Sequence, residues 1–179
     1  TLFDDIARLG GQPIMWNTGH SLVKAKMAET NAPLAGELSG HIFFADGYYG
    51  FDDALYCAIR LLSISGAEDK ALSQHFAHIP AMITTPELRV EVDESIKHSI
   101  PEKIKRVLTQ NPTPDAEIIT IDGVRVVTPE GWWLLRASNT QNCLVIRLES
   151  KTAEGLETLK DMLKNTLETA GVDSSGIAI

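Results

Sequence analysis

Between Ile79 and Pro86 the hydrophobic rhythm of the chain stops, whether it is followed at a helical or a strand period. Pro80 and Pro86 fix φ and carry no amide donor, so neither a helix nor a central strand runs through this stretch. A chain of 179 residues with 44% hydrophobic content can bury one ordinary core or two small ones. The break decides for two domains, 1–82 and 86–179, joined by a short linker.

On the N-terminal side helices and strands alternate. Thr1 to Leu9 reads as a helix stopped by Gly10-Gly11, Gln12 to Trp16 as a short strand, and Ser21 as the cap of a helix from Leu22 to about Glu29. Pro33-Leu34-Ala35 and Ile42-Phe43-Phe44 read as buried strands. A long helix opens at Asp52 or Asp53, two acids that suit a helix start, and runs to Ser65 before Gly66. Ala54, Leu55, Ala58, Ile59, Leu61 and Leu62 give it a wide apolar face. A further helix spans about Asp69 to Ala77, with His75 inside it and His78 beyond; two histidines at that spacing without a third ligand predict no metal site. This order predicts an α/β layer with helices around a mostly parallel sheet, incomplete because its first strand would precede Thr1.

On the C-terminal side the order changes. Leu88 to Val92 alternates as a strand, and Ser99 with Glu102 has capping-box spacing for a helix to about Leu108. Ala116 to Ile121 and Val124 to Thr128 flank Asp122-Gly123, a strong hairpin signal, and strands at Trp132 to Ala137 and Cys143 to Glu149 follow. The last helix, about Ala153 to Ala170, aligns Leu156, Leu159, Leu163 and Leu167 and stops at Gly171. These elements predict an α+β domain with an antiparallel sheet and its helices on one face.

Sixteen Lys and Arg against 24 Asp and Glu leave a net charge of -8, which disfavours nucleic acid and anionic membrane as partners. No apolar run approaches the length of about 18 residues that a spanning helix needs, and no charged-then-apolar leader opens the chain. Cys57 and Cys143 lie far apart in apolar patterns and read as buried thiols, so the cytoplasm is the expected compartment. A helix with no initiator methionine and no strand before it reads as the start of a piece cut from a longer chain.

Two polar stretches carry the chemistry. Gly36-Glu37-Leu38-Ser39-Gly40-His41 gathers a carboxylate, a hydroxyl and an imidazole between two strands. It is not a nucleophile elbow, because Glu37 and His41 stand where Gly-x-Ser-x-Gly needs glycines. Its groups suit recognition of hydroxyls, or else bond the loop's own backbone. Arg136-Ala137-Ser138-Asn139-Thr140-Gln141-Asn142 joins a guanidinium to hydroxyls and amides between two later strands, a composition that suits phosphate. The alternative is an ordinary hairpin loop with Arg136 paired to an acid on a neighbouring strand.

Both motifs, in this order and on these two domain types, resemble the α-D-phosphohexomutases, most closely the phosphomannomutase/phosphoglucomutase group. The sugar loop of that family's third domain, Gly-Glu-Met/Leu-Ser-Gly-His, is matched by Gly36 to His41. The phosphate loop of its fourth domain, Arg-x-Ser-Asn-Thr-x-Pro, is matched by Arg136, Ser138, Asn139 and Thr140. Thr18-Gly19-His20-Ser21, Gly50-Phe51-Asp52-Asp53 and Asp122-Gly123-Val124-Arg125 extend the resemblance over essentially the whole chain. Asn142 departs from it, standing where the family has Pro, which would loosen the end of the loop.

The resemblance implies the C-terminal half of an isomerase that interconverts hexose 6-phosphate and hexose 1-phosphate through a phosphoserine and a 1,6-bisphosphate. It implies that Glu37 and Ser39 hold sugar hydroxyls, that His20 and His41 line the same pocket, and that Arg136, Ser138, Asn139 and Thr140 clasp a phosphate. The phosphoserine and the Asp-rich Mg²⁺ loop of the family belong to two earlier domains and neither motif occurs here, so the piece would be inactive alone and hold no metal. Its expected partners are the hexose phosphate, the bisphosphate activator and those two domains. A stand-alone sugar-phosphate binding module is the competing reading. A phosphoglucosamine mutase fragment is disfavoured by Ala137 and Asn139, where those enzymes typically have Pro and Gly.

Overall fold

The computed structural model describes residues 2–68, 70–173 and 177. The chain divides into two compact units, Thr1–Pro80 and Ala81–Ile179.

In the first unit the elements are α1 (Leu2–Arg8), α2 (His20–Thr30), β1 (Leu34–Gly36), β2 (Ile42–Phe44), β3 (Phe51–Asp52), α3 (Ala54–Ala67) and α4 (Leu72–His75). The strands pair in the order β1-β2-β3, and both pairings are antiparallel, with Ala35 opposite Phe43 and Phe43 opposite Asp52. The mostly parallel sheet expected from the alternation is therefore not what forms among the described residues. The reason is the turn at 37–41, where the Gly40 amide donates to the Glu37 carbonyl at 3.0 Å and the Glu37 amide to the His41 carbonyl at 2.8 Å. Parallel neighbours need a crossover of a dozen or more residues, and this link is far too short for one.

Local signals in this unit are partly redirected. Residues 12–16 form no strand, because no ladder partner reaches them among the described residues. The cap of α2 is Gly19 rather than Ser21, its φ of 136° turning the chain into the helix two residues early. Asp53 caps α3 as its position suggests, accepting from the Tyr56 amide at 2.9 Å and from the Tyr48 hydroxyl at 2.5 Å. Those two donors hold its carboxyl below the usual carboxylate range. The helix continues through Gly66 to Ala67. Its wide apolar face is not core: Leu55 is 74% and Leu62 70% exposed. Three strands of two or three residues offer too little sheet to cover a helix of 14. The helix expected from Asp69 to Ala77 is reduced to α4, and Asp69 itself lies outside the described residues.

The second unit contains β4 (Ile83–Thr84), β5 (Leu88–Glu91), α5 (Glu94–Lys97), α6 (Ser99–Gln110), β6 (Glu117–Ile119), β7 (Val124–Thr128), β8 (Gly131–Ala137), β9 (Cys143–Ser150) and α7 (Ala153–Thr169). Its sheet runs β4-β9-β8-β7-β6, with β5 also paired to β9, and the pairings are antiparallel. Alternation puts Val124, Val126, Trp133, Leu135, Leu144, Ile146 and Leu148 on one face. There they meet Ile100, Ile104 and Leu108 of α6 and the leucine stripe of α7 in a single buried cluster. Part of the presumed linker belongs to this sheet, since Ile83 and Thr84 pair with Ser150 and Glu149 between the two prolines. The capping box at Ser99 does not form. The chain is already helical in α5, which Asp93 caps at 2.8 Å to the Ser95 amide, and the Ser99 hydroxyl donates back to the Ile96 carbonyl at 2.7 Å. Beyond α7, Gly171 takes φ 67° and the Val172 amide returns to the Leu167 carbonyl at 2.9 Å, the glycine stop read from the sequence.

Candidate functional site

The hairpin turn between β1 and β2 holds its polar groups by local bonds. Glu37 accepts the Gly19 amide on Oε1 at 3.1 Å and the Ser39 hydroxyl on Oε2 at 3.2 Å. The first of these ties the turn to the start of α2, whose first residue is His20, and the His20 and His41 rings lie 6.3 Å apart. His20, Glu37, Ser39 and His41 are thus brought to one place, with Gly40 in positive φ (92°) providing the bend. A carboxylate keeps further acceptor sites after two bonds, so Glu37 can still take hydroxyl protons.

The sequence reading missed one neighbour. Asp52 Oδ2 lies 2.6 Å from His41 Nδ1, close enough for a charge-assisted bond when the ring is protonated. Asp52 and Asp53 look alike as helix-start acids, but only one can cap; Asp53 does, and β3 carries Asp52 back across β2 to the histidine. A carboxylate on Nδ1 orients the ring and leaves Nε2 as the nitrogen for a second partner.

The second stretch spans the end of β8 and the connection to β9. Ser138 is buried, its amide donates to the Cys143 carbonyl at 2.9 Å, and its hydroxyl accepts the Thr140 and Gln141 amides at 3.4 and 3.2 Å. This serine turn folds the loop on itself. Arg136 Nη1 sits 3.7 Å from Asp122 Oδ2 and 3.4 Å from the Ala137 carbonyl oxygen, so the acid of the β6–β7 turn fixes the guanidinium at the loop entrance. At the loop end the Asn142 carbonyl accepts the Val92 amide at 3.0 Å and its Oδ1 accepts from Lys97 Nζ at 3.5 Å. Lys97, only 6% exposed, also donates to the Gln141 carbonyl at 3.3 Å. Composition gave no signal for it, since lysines are almost never buried. Arg89 reaches the same loop through Gln141 Oε1.

Among the described residues no three His, Cys, Asp or Glu side chains converge as a cation site, and no helix is long and apolar enough to cross a membrane. Cys143 is buried, whereas Cys57 is partly exposed; burial pushes the Cys57 thiol above its usual range.

Comparison with known proteins matches both units. The family model described as phosphoglucomutase/phosphomannomutase, alpha/beta/alpha domain III, matches residues 1–82, and the one described as the C-terminal domain matches residues 87–166. A phosphomannomutase/phosphoglucomutase of Pseudomonas aeruginosa is 46% identical over 170 residues, covering 95% of this chain and 36% of that protein. A phosphoglucomutase of Neisseria gonorrhoeae is 43% identical over 162 residues, covering 89% of this chain and 34% of its own length. A crystal structure of a phosphoglucomutase/phosphomannomutase family protein from Burkholderia thailandensis covers 100% of this chain and 37% of that one, at 39% identity and a TM-score of 0.85. The chain spans about a third of the length of the relatives it matches. Two folded units that match consecutive domain models make this chain a member of the phosphoglucomutase/phosphomannomutase family.

Proposed function

We propose that this chain supplies sugar and phosphate recognition to a mutase that interconverts hexose 6-phosphate and hexose 1-phosphate. The observation that carries the reading is the convergence of His20, Glu37, Ser39 and His41 on one turn, within the domain that matches the family's domain III. In this assignment residues 1–82 form the sugar-binding domain, where Glu37 and Ser39 hold ring hydroxyls and His20 and His41 line the pocket. Residues 86–179 form the phosphate-binding domain, where Arg136, Ser138, Asn139 and Thr140 take the phosphate that is not reacting. The transfer passes through a phosphoserine and a hexose 1,6-bisphosphate, and such chemistry consists mostly of positioning and charge stabilisation. Mg²⁺ would neutralise charge in the complete site, and no described residue of this chain is assigned to it.

This division of labour has a direct test. The 179-residue chain by itself should show no mutase turnover on glucose 1-phosphate or mannose 1-phosphate, with or without Mg²⁺ and a hexose bisphosphate. Turnover above a blank, in a preparation free of any longer mutase, would overturn the assignment.

A further inference from the structure

Lys97 is a buried cation with no buried anion. Its ammonium donates to the Gln141 carbonyl at 3.3 Å and to Asn142 Oδ1 at 3.5 Å, both neutral acceptors, and among the described residues it forms no ion pair. These two hydrogen bonds occupy two of its three protons without neutralising its charge, and a buried charge left without a counter-charge is costly. The acceptors it holds are the last two residues of the 136–142 loop, whose start carries the Arg136 guanidinium. Asn142 is also the position where the chain departs from the family's proline. Here a side-chain amide accepts from a buried lysine at the point where a pyrrolidine ring would otherwise stiffen the backbone.

We infer that Lys97 is a positioning residue for the phosphate site: it anchors the end of the 136–142 loop and keeps a positive charge beneath it whose counter-ion is the bound phosphate. The inference rests on the reading of this loop as the phosphate site. It has two separable parts, the anchor and the charge. Lys97→Met removes both, whereas Lys97→Gln removes the charge and keeps a donor on a side chain one atom shorter.

The test is an NMR titration of the 179-residue chain with inorganic phosphate, alongside thermal unfolding in phosphate-free buffer. Both variants should bind phosphate about tenfold more weakly than the parent, since a unit charge near a bound anion is lost. Lys97→Gln should unfold no lower than the parent, because a neutral donor in place of an unpaired buried charge removes a desolvation cost, whereas Lys97→Met, which strips Gln141 and Asn142 of their donor, should unfold at a lower temperature. Unchanged phosphate affinity in Lys97→Gln would overturn the charge role even if Lys97→Met failed to fold. A drop in unfolding temperature with affinity unchanged would make Lys97 a packing residue only. Arg136→Ala separates the two levels. If it leaves phosphate affinity unchanged, the loop is not the phosphate site and the inference falls with that reading; if it weakens binding while the Lys97 variants do not, only the inference falls.

Discussion

Gly123→Ala should lower the stability of the second unit by roughly 2–5 kcal/mol, from αL strain of about 1–2 and overpacking of about 1–3. Gly123 sits at φ 76°, and a Cβ there would stand 2.4 Å from the Leu135 carbonyl oxygen and 2.6 Å from Arg136 Cβ. Both obstacles belong to β8, whose backbone is locked between β7 and β9, so the neighbour cannot swing aside as a flexible side chain would. Gly171 is the control in the same unit: its φ is 67° but nothing lies within 4 Å of the added Cβ, so Gly171→Ala should cost only the backbone strain, about 1–2 kcal/mol. Hydrogen exchange at the Val126 and Leu135 amides reads the opening of this sheet directly. Equal losses in the two variants would show that the close approach is soft. The consequence reaches the candidate site as well, because the turn that Gly123 closes is the one whose Asp122 holds Arg136.

Arg136→Ala should weaken glucose 6-phosphate binding by about 10- to 150-fold, the range set by losing a charged hydrogen bond of some 1.5–3 kcal/mol. The guanidinium side chain is only 15% exposed and is held at the loop entrance by Asp122 and by the Ala137 carbonyl, so it is ordered before any ligand arrives. Little rotamer freedom remains to be lost on binding. Arg136→Lys should recover only part of the affinity, since an ammonium lacks the planar fork that matches phosphate oxygens. The dissociation constants of the three proteins check this. Affinity unchanged in Arg136→Ala would leave the residue as the structural partner of Asp122, the alternative that the loop composition also allowed.

How far the sequence could be read depended on whether an element is fixed by its own residues or by its neighbours. Alternation in Val124 to Thr128, Trp132 to Ala137 and Cys143 to Glu149 specifies which side chains enter the core, and the leucines of α7 specify the covering face, so the second unit was legible. The pair Ile83-Thr84 was not, because two residues between prolines carry no period and become a strand only by pairing with Glu149 and Ser150. The apolar stripe of α3 predicts burial, yet what lies opposite a helix is not written in it, and Leu55 and Leu62 are exposed. Both loops were visible as polar clusters between strands. Their supports were not: Asp52 reaches His41 through the β2–β3 register, and Lys97 reaches Gln141 from a helix that the capping signal at Ser99 obscured.

The central claim, that these two stretches recognise a sugar phosphate, is tested most directly by following the backbone amides of the 179-residue chain by NMR during titration. Inorganic phosphate should shift the amides of residues 138–141 alone. Glucose 6-phosphate should shift those and also the amides of residues 37–41 and Gly19, whose N–H rests on Glu37 Oε1. Saturable shifts at other residues, with both loops unmoved by glucose 6-phosphate, would contradict the account.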